Sequence, residues 1–479
     1  MSPGIWDTID RKSSSIAEGK KYAVGNSVVK TRSMKKALKT RSLKLLHLAI
    51  SIALFVFCWK LFYYSVYTEA HHRHANLILY CLYAVLLFLM NRTYESYSLG
   101  YRKASDNTYS QTLADVITAG VIWTVSLLMY MRWTNPLPLI GLCAVQLLWN
   151  IGWSVFAKKA YDSLHMQKRA AVIYVDDEDL QRLEEVGKLE HKFNVQKYIK
   201  DPQDYKELEK EIDGFEAIVV SGVNATLRNG LAKYCIETGV LGYFAPHVGD
   251  IIMQGSKHMR NFSVPIMSVR RAEPTPEYLF LKRAFDIVVS AIGLVVLSPF
   301  IGITALAVKL YDHGPVLYKQ VRLTKDRKEF RILKFRSMRV DAEKDGVARL
   351  STGENDDRIT PVGKIIRACR ADELPQLWNI LRGDMSIVGP RPERPEIAAQ
   401  YEEEMPAFGL RLQVKAGLTG YAQVYGKYNT NPHDKLEMDL MYINKMGVVE
   451  DLRLMFATVR VLFMKESTEG IEAGRVTAK

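Results

Sequence analysis

Residues 279–310 read LFLKRAFDIVVSAIGLVVLSPFIGITALAVKL, an apolar run long enough to cross a bilayer, and its placement decides the architecture around it. A straight span would put its two ends on opposite sides of the membrane. Lys282 and Arg283 stand at its start, and Lys309, Lys319, Arg322, Lys325 and Arg327 lie at and beyond its end. Both flanks are basic, so the positive-inside rule assigns both to the cytoplasmic side. Ser298–Pro299 falls near the middle. Proline there removes a backbone hydrogen bond and clashes with the preceding turn, which kinks or breaks a helix. The Ser298 hydroxyl can help satisfy the carbonyls released in lipid. The run reads as a helix–break–helix hairpin, re-entrant into one leaflet, with Ser298 and Pro299 as its break.

Upstream, four more runs have the length and apolarity of bilayer spans: Leu45–Val66, Leu77–Met90, Leu113–Met131 and Leu137–Phe156. The second is short and needs its flanking Asn91 and tyrosines. The leader, residues 1–44, carries Lys30, Arg32, Lys35, Lys36, Lys39, Arg41 and Lys44. It is too long for a signal peptide and no small-residue cleavage site follows, so the first run reads as a retained anchor. Lys158, Lys159, Lys168 and Arg169 follow the fourth run, and Arg92, Arg102 and Lys103 lie between the second and third. Both ends of this four-helix unit, 45–160, are therefore expected on the cytoplasmic side. That placement accounts for the net charge of +13, from 65 basic against 52 acidic residues, without nucleic acid. Hydrophobic residues make up 48% of the 479, and the five cysteines form no CxxC pair, which excludes wholesale disorder, a disulfide scaffold and a structural zinc site. His71, His72 and His74 share one outward loop, and nothing else places ligands beside them.

Residues 170–268 change pattern to short apolar strands alternating with helices. Ala171–Val175, Phe193–Tyr198, Ala217–Ser221 and Leu241–Ala245 read as strands, and Asp179–Leu189, Tyr205–Ile212 and Ala225–Thr238 as helices. This is the signature of a parallel sheet covered on both faces, a degenerate Rossmann-like module. The turn after its first strand should carry a glycine-rich phosphate loop, but reads Asp176–Asp177–Glu178–Asp179. Four carboxylates repel a pyrophosphate, so a structural, dimerising or regulatory role is expected in place of nucleotide binding.

Beyond Gly314 arginines, lysines and acids cluster in three places: Lys319–Arg322 with Phe330–Met338, Asp357–Pro375, and Asp384–Glu393. In the second, Leu374, Leu377, Trp378 and Leu381 recur at helical spacing, Pro375 fits a first turn and Gly383 can end the helix. Asp372 and Glu373 then sit at a helix N-terminus, where free N–H groups favour anions. Adjacent carboxylates suit Mg²⁺, which takes one or two of them and then phosphate oxygens. A carboxylate beside a metal-bound diphosphate can attack phosphorus and form an acyl phosphate, while arginines neutralise the departing phosphate.

Residues 281–464 resemble the bacterial sugar transferase family, the monotopic phosphoglycosyl transferases. The resemblance rests on Lys282–Arg283, Ser298–Pro299, Lys334–Met338, Asp372–Leu377, Gly383–Ser386, Val388–Pro392, Lys415–Gly420 and Asp439–Tyr442. It implies a C-terminal mixed α/β catalytic domain, 279–465 with its re-entrant helix 279–310, followed by a flexible tail, 466–479. It implies transfer of a sugar 1-phosphate from a UDP-sugar, galactose or glucose, to undecaprenyl phosphate, beginning O-antigen, capsule or exopolysaccharide synthesis. Asp372 would be the nucleophile and Glu373 the Mg²⁺ ligand, with Lys334 and Arg367 beside them. Arg391, Arg336, Pro390, Pro392, Asp439, Asp451 and Thr419 would bind substrate. The family lies in the bacterial cytoplasmic (inner) membrane, multi-pass in its large members, with the catalytic domain on the cytoplasmic face, and leaves room for a homo-oligomer such as a dimer. Thr324 and Arg327 stand where the family often has glycines, and Ala416 where proline is more usual. The rival reading is a non-catalytic scaffold or regulator of polysaccharide assembly; a scaffold has no need of Asp372, Glu373, Lys334 and Arg391.

Overall fold

The structure, a computed structural model, describes residues 36, 38–64, 73–100, 102–164, 167–185, 193–259, 264–340, 342, 356, 358–426 and 431–461. His71, His72, most of the basic leader and the tail 466–479 lie outside the described residues. Two compact units divide the chain, 1–244 and 245–479.

The first unit opens with α1 (Leu38–Phe62), α2 (Arg73–Thr93), α3 (Ala104–Tyr130) and α4 (Leu137–Leu164), each long and apolar enough to cross a membrane. The first extends back into the basic segment before the apolar run that begins at Leu45, because no Gly or Pro there stops the helix. The second reaches 21 residues by extending beyond its apolar run at both ends, and its first turn includes His74. These helices show lipid-type patterning: Phe57, Leu128 and Leu148 point outward and are exposed, while Gln111, Asp115, Gln146 and Asn150 are buried between helices.

Next come β1 (Lys168–Tyr174), α5 (Asp177–Glu185), β2 (Phe193–Lys200), α6 (Tyr205–Ile212), β3 (Ala217–Val220), α7 (Ala225–Thr238) and β4 (Leu241–Phe244). The strands form one parallel sheet in the order β2-β1-β3-β4, with Ala170 opposite Ala217 and Val220 opposite Phe244. Apolar runs in β1 and β3 follow from cover on both faces. Asp204 and Asn224 cap α6 and α7 by accepting from Lys206 N and Leu227 N. At the ends of β1 and β3, Asp179 accepts from Ser221 Oγ at 2.8 Å, and a Cβ on Gly222 (φ +74°) would collide with its carboxylate.

The parallel sheet ends at Phe244, and residues 245–268 fall in the second compact unit. Helix α8 (Val248–Gln254) belongs with the second unit: Ile251 enters that unit's core and its carbonyl accepts from Asn444 Nδ2 at 2.6 Å. The antiparallel pair β5 (Lys257–Met259) and β6 (Ile266–Ser268) follows.

Helix α9 (Pro276–Val296) starts with a Thr275 cap and Pro276 in its first turn, and α10 (Ser298–Asp312) continues from it at a bend of 62°. Pro299 cannot donate to the Val295 carbonyl; Ser298 Oγ donates to it instead, at 2.7 Å. The antiparallel hairpin β7 (Leu317–Leu323) and β8 (Glu329–Phe335) follows, then α11 (Pro361–Ala368), a 3₁₀ turn at Ala371–Glu373 and α12 (Gln376–Arg382). Strand β9 (Ser386–Val388) pairs in parallel with β10 (Gly417–Thr419). Between and after them lie α13 (Pro395–Glu404), a 3₁₀ segment Pro406–Gln413, α14 (Tyr421–Val424), α15 (Pro432–Lys445) and α16 (Val448–Val461). Phe330, Ile332, Leu377, Ile380, Met385, Tyr401, Phe408, Leu436 and Leu454 build the core that joins them.

Polar clamps tie the bent helix pair to this core. Arg283 donates to the carbonyls of Ile380 and Leu381 at 2.7 and 2.8 Å, satisfying the C-terminal end of α12. Asp286, buried, accepts from Ile387 N at 2.9 Å and Ser386 Oγ at 3.1 Å. Asp451 Oδ2 accepts from Lys282 Nζ at 2.7 Å and Tyr278 OH at 2.8 Å, while Tyr442 OH donates to Oδ1 at 2.8 Å.

Candidate active site

Asp372 and Glu373 occupy the 3₁₀ turn before α12, entered through Arg370 in the left-handed region (φ +53°). Pro375 caps α12 and the helix proper begins at Gln376, so the acids stand in the turn that precedes the helix. Asn379, buried on α12, grips β8 from both sides: its Nδ2 donates to the Arg331 carbonyl and its Oδ1 accepts from Leu333 N, each at 2.9 Å. That clamp fixes Lys334, the next residue of β8, relative to the acids.

Glu373 Oε1 accepts from Arg391 at 2.8 Å and faces Lys334 Nζ at 3.5 Å. Burial opposes ionisation of Glu373, but Arg391, Lys334 and Arg370 outweigh it and hold the carboxyl well below the usual carboxylate range. Asp372 behaves in the opposite way. It is buried, accepts no hydrogen bond from the described residues, and is pushed up to about 6 by burial and by the Glu373 charge, against Lys334, Arg367 and Arg391. Burial lowers the Lys334 ammonium, with Glu373 pulling the other way. One carboxylate is therefore locked between cations, and its neighbour stands unbonded beside them.

Around this pair lies a cationic wall that sequence reading only partly anticipated. Gly389 allows the Pro390–Glu393 loop to press on the β10 segment: its N–H donates to the Thr419 carbonyl at 2.8 Å, and Gly417 N donates to the Pro390 carbonyl at 2.9 Å. Any Cβ on Gly389 would strike the Lys415 carbonyl. Arg322 donates to the Pro392 carbonyl at 3.1 Å and pairs with Glu393 at 3.7 Å. Arg411, almost fully buried, pairs with Asp439 at 2.7 Å and Glu393 at 3.6 Å, and donates to the Arg391 carbonyl at 2.8 Å. Lys435 reaches Glu393 at 3.9 Å. Burial works against an ionised Glu393, yet Lys435, Arg411 and Arg322 hold it low, whereas burial raises Asp439.

The structure thus brings Asp372, Glu373, Lys334, Arg367 and Arg391 together and places Asp439 behind them, supporting Arg391 through Arg411. Arg336 instead binds Asp312 and the Pro315 carbonyl at the end of α10. Asp451 belongs to the Lys282–Tyr278–Tyr442 clamp, and the Thr419 hydroxyl bonds Thr458 at 2.6 Å. Arg322, Glu393, Arg411 and Lys435 were not among the expected site residues. Arg322 and Glu393 sit in the quoted basic and Gly-Pro-Arg-Pro runs, but nothing local marks Arg411 or Lys435.

A cation fits the acid pair: Glu373 Oε2 bonds none of the described residues, Asp372 is open, and the two carboxylates leave remaining positions to phosphate oxygens. His433, Asp434 and Glu437 also present ligand atoms within 4.8 Å of one another, but His433 and Glu437 form an i,i+4 pair at 3.1 Å on α15.

Residues 277–465 match the model of the bacterial sugar transferase family. A UDP-N-acetylgalactosamine-undecaprenyl-phosphate N-acetylgalactosaminephosphotransferase of Aeromonas hydrophila is 41% identical over 192 residues, covering 40% of this chain and 45% of that protein. The exopolysaccharide production protein PSS of Rhizobium leguminosarum bv. phaseoli is 44% identical over 192 residues, 38% of this chain and 94% of its own. A UDP-glucose:undecaprenyl-phosphate glucose-1-phosphate transferase of Escherichia coli K12 is 40% identical over 212 residues, 43% of this chain and 44% of its own. The match thus spans less than half of the Aeromonas and Escherichia proteins and nearly all of the Rhizobium one. With the acid pair, the basic loop and the bend between α9 and α10 inside the matched residues, the chain belongs to the bacterial sugar transferase family.

Proposed function

We propose that the protein transfers a sugar 1-phosphate from a UDP-sugar, galactose or glucose first, to undecaprenyl phosphate, opening O-antigen, capsule or exopolysaccharide synthesis. The observation that carries this reading is the division of labour in the acid pair: Glu373 is locked by Arg391 and Lys334, while Asp372 is buried and accepts no hydrogen bond from the described residues. An unbonded carboxylate against a cationic wall suits attack on a diphosphate.

In the first half-reaction an Asp372 oxygen attacks the β-phosphorus. The bond from that phosphorus to the bridging oxygen breaks, UMP departs with the electron pair, and the sugar phosphate stays on Asp372 as an acyl phosphate. In the second, an oxygen of undecaprenyl phosphate attacks the same phosphorus, returning the Asp372 carboxylate and yielding undecaprenyl-diphosphate sugar. Arg391 and Lys334 fix Glu373, and with Arg367 they offset negative charge on the diphosphate. Mg²⁺ held by Glu373 would supply charge neutralisation of the phosphate oxygens. The bent pair α9–α10 dips into the cytoplasmic leaflet of the inner membrane and returns, which presents the site to a lipid phosphate at the bilayer surface. The parallel-sheet module acts without a nucleotide: Asp179 fills the crevice between strand ends where a phosphate would lie.

The test is a panel of UDP-sugars supplied with undecaprenyl phosphate to the full chain in membranes, following UMP. One sugar should give lipid-dependent turnover. No UMP from any UDP-sugar would leave the scaffold reading in its place.

A further inference from the structure

The four apolar helices carry two facing polar stripes that the transferase reading does not use. Asn107, Gln111 and Asp115 recur every fourth residue along α3, and Gln146, Asn150 and Ser154 do the same along α4. All six are 0–1% exposed. The stripes pair in antiparallel order. Ser154 Oγ donates to Gln111 Oε1 at 3.1 Å, and Asn150 Nδ2 donates to Asp115 Oδ2 at 2.7 Å and Thr112 Oγ1 at 3.3 Å. Gln146 Nε2 donates to Tyr83 OH on α2 at 2.9 Å. From Asn150 the chain crosses to α1: Asn150 Oδ1 meets His47 Nε2 at 3.0 Å, and His47 Nδ1 meets Tyr97 OH at 3.0 Å. The amide fixes the direction of these bonds. Asn150 uses its N–H groups on α3, so its oxygen accepts from His47 Nε2–H, and His47 Nδ1 shares the second bond with the Tyr97 hydroxyl.

Asp115 is the acid at the centre of this chain, and no lysine or arginine pairs with it among the described residues. The titratable groups that face it are Tyr83 on α2, Tyr97 after α2 and Cys143 on α4, with His47 on α1 beyond Asn150. An ionised carboxylate here would be buried beside one amide N–H, inside a bundle whose outer surface is hydrocarbon-facing, with no counter-charge. Intramembrane acids without a partner cation mark proton or ion sites.

We propose that Asp115 is a proton-binding site of the membrane unit: it is held as the neutral acid at neutral pH, within the chain Asp115–Asn150–His47–Tyr97. The ligand is a proton, taken up on the carboxylate oxygen that Asn150 does not bond. This site is independent of the sugar-transfer chemistry and stands or falls separately.

Infrared difference spectroscopy of the full chain in lipid nanodiscs, titrated from about pH 5 to about pH 9, reads the protonation state directly. A protonated-carboxyl C=O band should be present at neutral pH, and one component of it should be missing from Asp115→Asn, which keeps the size of the side chain. Dicyclohexylcarbodiimide, which partitions into hydrocarbon and reacts with protonated carboxyls, should modify Asp115 in peptide mass spectra, and a water-soluble carbodiimide should not. If Asp115→Asn does not fold, the adduct on wild-type Asp115 still decides the matter. A wild-type spectrum with only carboxylate bands at neutral pH, or modification by the water-soluble reagent alone, would overturn the proposal.

Discussion

Asp372→Asn should abolish turnover and at the same time stabilise the fold. The Asp372 carboxyl titrates at about 6 in the folded chain, against about 3.9 for an unfolded aspartate. At 1.36 kcal/mol per pH unit, holding the folded carboxylate ionised at neutral pH costs about 2–3 kcal/mol. Asparagine removes that cost and retains the shape. For a domain of this size each kcal/mol moves the melting midpoint by about 2–4 °C, so the variant should melt several degrees higher. The sign in pH is fixed by the direction of the shift. Because the folded state binds the proton more tightly, wild-type stability is full below about pH 4 and is lost as pH rises through about 6. The advantage of Asp372→Asn should therefore be small at low pH, grow between about pH 4 and 6, and stay constant above. Thermal unfolding of the two proteins in the same detergent, over that pH range, measures it. An equal or lower midpoint for the variant at neutral pH, or an advantage that does not vary with pH, would refute the claim that Asp372 is destabilised in place.

Three further outcomes follow from the same geometry. Since the nucleophile must be ionised, UMP release with limiting UDP-sugar should rise through about pH 6 and then level off; a rate that falls over that range would exclude a carboxylate nucleophile with this environment. In a chain freed of its native cysteines, cysteines at Glu273 and Lys319, on either side of the bent helix pair, should label only from the cytoplasmic side. Labelling from opposite sides would show a full span, and Pro299→Leu should push the chain toward that state. Thr324→Val should cost about 1–2 kcal/mol by orphaning the Ala416 N–H, which donates to Thr324 Oγ1 at 3.0 Å. Ala416→Pro removes that N–H, so the double variant should be less destabilised than the two costs summed; strict additivity in urea unfolding would show that the contact is idle.

How far the sequence could be read depended on how local each signal was. Length and apolarity alone located α1 to α4, and Ser298–Pro299 located the bend, because each signal is carried by neighbouring residues. The extension of α1 into the basic segment is not legible from apolarity, since charge does not stop a helix that no Gly or Pro interrupts. That α8 packs with the second unit is not legible locally, because Ile251 and Asn444 meet only in the folded unit. At the site, the adjacent acids and the Gly-Pro-Arg-Pro loop were visible. Arg411, whose partners Glu393, Asp439 and Arg391 come from separate segments, was not. The turn carrying Thr324 and Arg327 shows what the departures from the family pattern mean. Asp326 and Arg327 adopt the left-handed conformation glycine would favour (φ +57° and +60°), and Arg327 is held by Glu402 at 3.0 and 2.9 Å. Thr324 and Ala416, noted as separate departures, are the two ends of one hydrogen bond.

The covalent role of Asp372 is the centre of the functional account, and a single-turnover experiment reaches it most directly. The protein is mixed with UDP-sugar and divalent cation in the absence of undecaprenyl phosphate, and UMP is counted against active sites. One UMP per site should appear, with a sugar phosphate recoverable on the peptide containing Asp372, and neither from Asp372→Asn. UMP that appears only after lipid is added, with no adduct on Asp372, would mean that undecaprenyl phosphate attacks the UDP-sugar directly.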